Sequence, residues 1–393
     1  MKAGWHKAKI VDVARVQSGS GFPTRYQGEV GEAIPFYKVS DMNLEGNESA
    51  MVYENNSVTE DVKNELGASI FPAGSVIFPK IGGAIATNKK RLTTKDCCVD
   101  NNVMGIIPRL EKIDSEFLYY FFLGHDLSEF ANKAHLPSIK KTVVEEWVMC
   151  LPKAISEQRR IVGILDEAFA GVAAAKANAE KNLQNAGTLF GSHLQAIFTQ
   201  GGHGYTNKAL GEVCDLFQGL AINAKSKHLL VAHSSLPLLR IKDLRNNTAE
   251  QFVAETGYPP NARVDESEII YTRTGQIGLV FRGRVGVLHN NCFKVRPKHD
   301  LNVDYLFWWL QSPTFRDRII NLAKRAAQPD ITHSVFKVQR ILVPPLDRQE
   351  QAAKSILELS EETQRLESLY RRKLAALDEL KKSLLHQAFS GQL

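Results

Sequence analysis

The chain repeats itself once, and this duplication limits its architecture more than any other feature. Ser192-His-Leu-Gln-Ala-Ile-Phe198 superposes on Ser383-Leu-Leu-His-Gln-Ala-Phe389. Leu151-Pro-Lys-Ala-Ile-Ser-Glu-Gln158 superposes on Val343-Pro-Pro-Leu-Asp-Arg-Gln349 with one gap. Upstream, Phe117-Leu-Tyr-Tyr-Phe-Phe122 matches Tyr305-Leu-Phe-Trp-Trp-Leu310, and Asp100-Asn-Asn-Val matches His289-Asn-Asn-Cys. Ser75-Val-Ile-Phe-Pro-Lys-Ile-Gly82 matches Glu268-Ile-Ile-Tyr-Thr-Arg-Thr-Gly275, and Pro35-Phe-Tyr-Lys-Val-Ser-Asp41 matches Pro237-Leu-Leu-Arg-Ile-Lys-Asp243. The order never breaks. A shift of roughly half the chain implies duplication and a pseudo-two-fold rather than a solenoid of many short repeats.

Each half reads as a globular part followed by a long helix, 1–152 then 153–202, and 203–345 then 346–393. The globular parts mix short β-branched and aromatic runs, punctuated by Gly, Pro and Asn, with an aromatic helix near Phe117–Asn132 or Tyr305–Ala326. The class is α+β. In the second long helix Ile356, Leu359, Thr363, Leu366, Tyr370, Lys373, Leu377, Leu380 and Leu384 alternate spacings of three and four, a heptad seam with one polar position at Lys373. Asp347 with Glu350 suits a capping box at its start. The duplication places the first seam at Leu165, Ala168, Val172, Ala175, Ala179, Asn182, Ala186, Leu189 and His193, mostly small residues. A seam of small residues packs closely against one of large residues, so the two helices are expected to pair. About forty residues at 1.5 Å each make a rod of roughly 60 Å. Under a pseudo-two-fold the helices run antiparallel with the globular domains at opposite ends.

Composition excludes several classes. Hydrophobic residues at 44% and charged residues at 23% are ordinary for a folded protein. Phe117–Leu123 and Tyr305–Leu310 are too short to span a bilayer, and the N-terminus lacks a secretory apolar core, so no membrane association and a cytoplasmic location are expected. The five cysteines (Cys97, Cys98, Cys150, Cys214, Cys292) make no Cys-x-x-Cys and no disulfide framework. Gly-Lys never occurs, which removes the Walker A loop, and Gly-x-Gly-x-x-Gly, His-Glu-x-x-His and Gly-x-Ser-x-Gly are absent. Asp166-Glu-Ala-Phe169 imitates a helicase box inside a helix with no phosphate loop. Pro329-Asp330 imitates the start of a nuclease motif with no Glu-x-Lys after it. The histidines form no ligand cluster, so neither a catalytic nor a metal site is expected. A duplicated chain that lacks every such motif twice points to binding rather than catalysis.

What remains is a pair of polar loops. Lys80-Ile-Gly82-Gly83 and Arg273-Thr-Gly275-Gln-Ile-Gly278 each follow an apolar strand with a cation and glycines. Glycine permits close backbone approach, and arginine suits a forked contact with a guanine edge. Lys89, Lys90 and Arg91 in one half and Arg282 and Arg284 in the other add cations just downstream, and Arg240, in the repeated Pro237–Asp243 segment, is a further candidate for DNA contact. Asn101, Asn102, Asn290 and Asn291 could contact adenine or cap turns. The cations could also be solvated hairpin charges. Their matching positions in both halves favour DNA. Charge is uneven: residues 1–152 carry 17 basic against 19 acidic side chains, residues 203–345 carry 19 against 12. Only the second globular part is basic as a whole, and the first depends on a local patch such as Lys80 with Lys89, Lys90 and Arg91.

Taken together, Leu151-Pro152 with Glu157-Gln158-Arg159-Arg160-Ile161, Val343-Pro-Pro-Leu346 with Gln349-Glu350, the Ile270–Gly278 strand and loop, and Leu380-Lys-Lys-Ser-Leu-Leu385 with Ala388-Phe-Ser-Gly391 resemble the specificity subunit of type I restriction–modification enzymes. The likeness covers essentially the whole chain. It implies two target-recognition domains of mixed α/β structure separated by two long helices that form an antiparallel coiled coil. It also implies a non-catalytic subunit that reads two short half-sites of double-stranded DNA across a fixed spacer. Two adenine-N6 methyltransferase subunits, and optionally translocating endonuclease subunits, would dock on it. S-adenosylmethionine, ATP and magnesium would belong to those partners, with no cofactor in this chain. Phe198, Leu369, Leu374, Leu385 and Phe389, apolar residues outside the internal seam, are the expected docking positions. The alternative is a duplicated coiled-coil scaffold that binds protein.

Overall fold

A computed structural model describes residues 4–324 and 329–393. The chain divides into two compact units, 1–179 with 372–393 and 180–371. Two 45-residue helices, α1 (Ile155–Thr199) and α2 (Leu346–Ser390), each contribute one part to either unit.

In the first unit a five-stranded sheet runs in the order Ala14–Ser18, Val103–Pro108, Val76–Pro79, Arg91–Thr93, Ala50–Met51, beside a three-stranded sheet of Ser57–Val58, Ile34–Tyr37 and Cys98–Val99. The central Val76–Pro79 strand is buried along its whole length, as a continuous apolar run buried on both faces should be. Trp5–Lys9 pairs antiparallel with Val148–Pro152, closing the domain immediately before α1. The second unit repeats this plan. Cys214–Gln218, Cys292–Pro297, Ile269–Thr272 and Val280–Phe281 form the main sheet, and Leu238–Leu239, Gly286–Leu288 and Arg263–Val264 the smaller one. Thr206–Ala209 pairs with Arg340–Val343 immediately before α2.

The repeated glutamines explain themselves here. Gln158 and Gln349 are fully buried. Gln158 Nε2 donates to the Pro152 and Lys112 carbonyls (2.9 and 3.2 Å), and its Oε1 accepts from Asp114 N–H (2.8 Å). Gln349 does the same with Pro344 and Asp300 (2.8 and 2.9 Å) and Asn302 N–H (2.7 Å). Each side chain ties the first turn of a long helix to the strand before it and to the cap of the aromatic helix, satisfying backbone groups that have no partner in regular structure.

Those aromatic helices are shorter than expected. One spans Ser115–Leu123 and stops at Gly124. The other breaks into Val303–Leu310 and Pro313–Ala323, because Pro313 begins a helix and forces Ser312 into an extended conformation. The end expected at Ala326 lies outside the described residues. Helix α2 starts at Leu346, so Asp347 sits inside the first turn instead of capping it with Glu350, and the Pro345 carbonyl accepts from Arg348 and Gln349 N–H.

Within the first unit the two helices are antiparallel. Lys176 Nζ meets Asp378 at 2.6 Å, Lys381 lies 4.8 Å from the Phe169 ring centroid, and Leu165 shares a core with Leu385 and Ala388. Within the second, Leu194, Phe198 and Ile356 share one core with Ala352 and Phe190 at its edge. The expected seam holds at Leu165, Val172, Ala179 and Ala186, while its other positions slip by one residue from Asn182 onward. Asn182, Leu189 and His193 are exposed, and Leu183, Phe190 and Leu194 take their places. In α2, Lys373 and Leu380 are likewise exposed, with Leu374 and Lys381 turned inward. A helix of 3.6 residues per turn drifts about 20° per heptad against a strict 3.5-residue repeat.

Candidate nucleic-acid interface

The loops singled out above converge, within each unit, at one end of the main sheet. Lys80 N–H donates to the Asn102 carbonyl (2.8 Å) and the Lys80 carbonyl accepts from Ile139 N–H (2.9 Å). Arg273 N–H donates to the Asn291 carbonyl (2.9 Å) and its carbonyl accepts from Ile331 N–H (3.0 Å). Isolated bridges join Ser20 to Asp100 and Ile81 to Ser138 in one unit, and Leu220 to His289 and Thr274 to Asp330 in the other. Gly19 and Gly219 have no alternative: an added Cβ would stand 2.0 Å from the Asp100 carbonyl oxygen or 2.3 Å from that of His289. The duplicated sequence therefore builds one backbone frame twice.

The side chains on this frame differ. Lys80 is half-buried, and its ammonium donates to Ser18 Oγ (3.0 Å). Burial lowers its pKa, and Asp100 pulls it back. Asp100 is itself buried, and desolvation raises its carboxyl although Asn102 donates to it from both backbone and side chain (3.1 Å each). Asp100 thus caps the turn, with Asn102 as its donor, and Asn101 is exposed. Gly82, at φ +71°, opens a short 3-10 turn against the Pro137 carbonyl, and Gly83 faces open space.

The expected patch of Lys89, Lys90 and Arg91 is not a surface patch. Lys90 is 1% exposed, and its ammonium bonds Asn88 Oδ1 and the His125 carbonyl (2.6 Å each). Burial pulls its pKa to about 8. The Arg91 guanidinium is buried on the Lys90 and Met42 carbonyls (2.8 and 2.9 Å). Both cations donate to backbone carbonyls, so neither is free at the surface. Lys89 alone stays at the surface, on Asn43.

In the second unit the cations are also engaged. Arg240 forks onto Asp243 (2.6 and 3.1 Å) and reaches Glu250 (3.0 Å). Arg282 pairs with Asp304, and Arg284 reaches the Leu244 carbonyl (3.5 Å). Arg273 Nε and Nη2 fork onto the two oxygens of Asp330, the former at 2.9 Å, and Nη1 donates to Gln218 Oε1 (3.0 Å). Gly275 and Gly278, at φ +72° and +84°, shape the turn after Arg273, which Thr272 Oγ1 closes onto the Gln276 carbonyl (2.5 Å). Asn290 is held by backbone to Leu220 and by its carbonyl to Gln218 (2.9 Å), and the Asn291 side chain is exposed.

Sequence reasoning missed Ser18, Gln218, Ser138 and Asp330 as members of this frame. A signal existed: Pro137-Ser138-Ile139 and Pro329-Asp330-Ile331 align in the duplication, as do Gly19 and Gly219. The expected docking residues are also placed differently. Phe198 and Leu385 are buried core members, and Phe389 packs edge-on against Phe117 and Phe121 (5.0 and 5.5 Å). Leu374 is half-buried in the seam, and only Leu369, at 50% exposure, stands clear of the intramolecular packing. Among the described residues no cluster of three His, Cys, Asp or Glu could hold a metal, and no helix is long and apolar enough to cross a membrane.

The family model for the type I restriction modification DNA specificity domain matches twice, over residues 2–183 and 203–372. The chain belongs to the type I restriction–modification DNA specificity family. Its two matches cover the two halves of the duplication, and the function is that of a DNA sequence-specificity subunit. A similar protein is the type I restriction enzyme MjaIX specificity subunit of Methanocaldococcus jannaschii, 22% identical over 87% of this chain and 83% of that one. The fold is that of solved relatives. One, from work on complex assembly and conformational transition of the type I R-M system, has a TM-score of 0.81 at 16% identity over 100% of this chain and 99% of that chain. Another, the HsdS subunit from Thermoanaerobacter tengcongensis, has a TM-score of 0.65 at 17% identity over 100% and 98%. Specificity subunits are non-catalytic. The reading as a scaffold for protein alone is set aside.

Proposed function

We propose that each globular domain reads one short half-site of double-stranded DNA, so that the chain recognises a bipartite target with a spacer of constant length. The observation that carries this reading is the frame built twice, with glycines that permit close approach and different side chains in each copy. One architecture with two sets of reading groups suits two different half-sites. The long helices, through Leu369 and neighbouring exposed positions, dock two adenine-N6 methyltransferase subunits and, where present, the translocating endonuclease. S-adenosylmethionine, ATP and magnesium act in those partners. The assembly works in the cytoplasm, where the DNA is. The test is to express the chain with its methyltransferase subunit in a host lacking adenine methylation and to sequence the modified positions. Two defined blocks separated by an invariant gap of unspecified bases are expected. A single contiguous motif, or methylation without sequence preference, would overturn the reading.

A further inference from the structure

The two copies of the frame differ at three places that face one another. Arg273, Gln218 and Asp330 stand in the second unit where Lys80, Ser18 and Ser138 stand in the first, on the same backbone hydrogen bonds. A guanidinium has five N–H groups in a fixed plane. Asp330 takes two of those of Arg273, through Nε and Nη2, and Gln218 takes one from Nη1. One N–H on each terminal nitrogen is left over among the described residues, and a guanine edge offers two acceptors, O6 and N7, to such donors. The Arg273 and Asp330 side chains remain 20% and 27% exposed, so the pair is held without being sealed. The ion pair is not needed to hold the frame, because the first unit forms the same backbone bonds with Lys80 and Ser138.

We infer that Asp330 and Gln218 are positioning residues that fix the Arg273 guanidinium for a guanine in the half-site read by the second domain, and that this trio sets one base of its specificity. A forked carboxylate removes the rotamer freedom of a long cation before DNA arrives, and only arginine can be held on one edge while presenting another. In the first domain Lys80 is a point charge on a hydroxyl, and it makes no forked contact there. The inference rests on the proposed reading of DNA by these domains.

The probe is a library of random DNA duplexes, selected by the full chain in complex with its methyltransferase subunit and then sequenced. The wild type yields the bipartite motif; if it yields none, the DNA reading itself fails and the positioning question does not arise. Given a motif, Arg273→Ala, Asp330→Ala and Gln218→Leu are each expected to lose preference for the same single guanine in one half-site. The loss is about 5- to 150-fold for Arg273→Ala, the factor matching about 1–3 kcal/mol for one forked base contact. The other positions of that half-site, and all of the other half-site, keep their preferences, which a merely unfolded domain could not do. Arg273→Lys should fail to restore the guanine, because lysine cannot fork. Three results would overturn the inference: an unchanged motif in Asp330→Ala, a loss at a different base from Arg273→Ala, or a gain of affinity for all sequences, which would make Asp330 a mask. Should Asp330→Ala not fold by thermal melting, Gln218→Leu decides the matter by the same criteria.

Discussion

Replacing Gln349 by methionine keeps the length of the side chain and removes its three hydrogen bonds. The side chain is fully buried, with bonds of 2.7, 2.8 and 2.9 Å to Asn302 N–H and to the Pro344 and Asp300 carbonyls. Each bond is worth about 0.5–1.5 kcal/mol net, and a buried group left without a partner costs about 1–3 kcal/mol. Asp300 is exposed, so water can take over its carbonyl; Pro344 is buried and has no such relief. The expected loss is therefore about 2–4 kcal/mol. For a unit of about 190 residues this lowers the melting temperature by roughly 4–16 °C. The assay is calorimetry of the full chain, with hydrogen exchange in the Val303–Leu310 helix to locate the weakened unit. Gln351→Met, at an exposed position two residues on, is the control. Gln158→Met should weaken the first unit in the same way. A melting point for Gln349→Met within the error of the control would refute the argument that these glutamines anchor the long helices.

Ala179 is 1% exposed on the seam of its long helix, so the added bulk of Ala179→Leu should destabilise by about 1–3 kcal/mol in urea unfolding. Phe389→Asp should unfold the first unit by near-ultraviolet circular dichroism, since it removes the ring packed on both Phe117 and Phe121 and places a charge there, whereas Leu369→Asp should leave the fold intact and reduce co-purification of the methyltransferase. Burial holds the folded pKa of Lys90 at about 8, below the ordinary lysine value of 10.5. Between these values the unfolded chain holds the extra proton, so stability should rise with pH across that window and the cost should be fully present below it; the rise should be absent from Lys90→Met in parallel denaturation curves.

Much of this molecule was legible without coordinates, because it rests on periodicity and repetition. The duplication, the two long helices, the buried Val76–Pro79 and Ile269–Thr272 strands and the absence of catalytic motifs all follow from local patterns, and local patterns are written along the chain. The seam of the coiled coil was legible only for a few turns, since the small difference between 3.5 and 3.6 residues per turn accumulates until Leu183 replaces Asn182 and Leu374 replaces Lys373. Tertiary structure alone decided which cations are available. Lys90 and Arg91 look in sequence like a basic patch, yet they are consumed by carbonyls of His125 and Met42, 35 and 49 residues away. Arg273 is held by a carboxylate 57 residues downstream. A side chain's charge is a property of the residue. Its freedom depends on which donors and acceptors folding brings beside it, and a buried carbonyl or carboxylate far along the chain claims a cation that no local pattern shows to be taken.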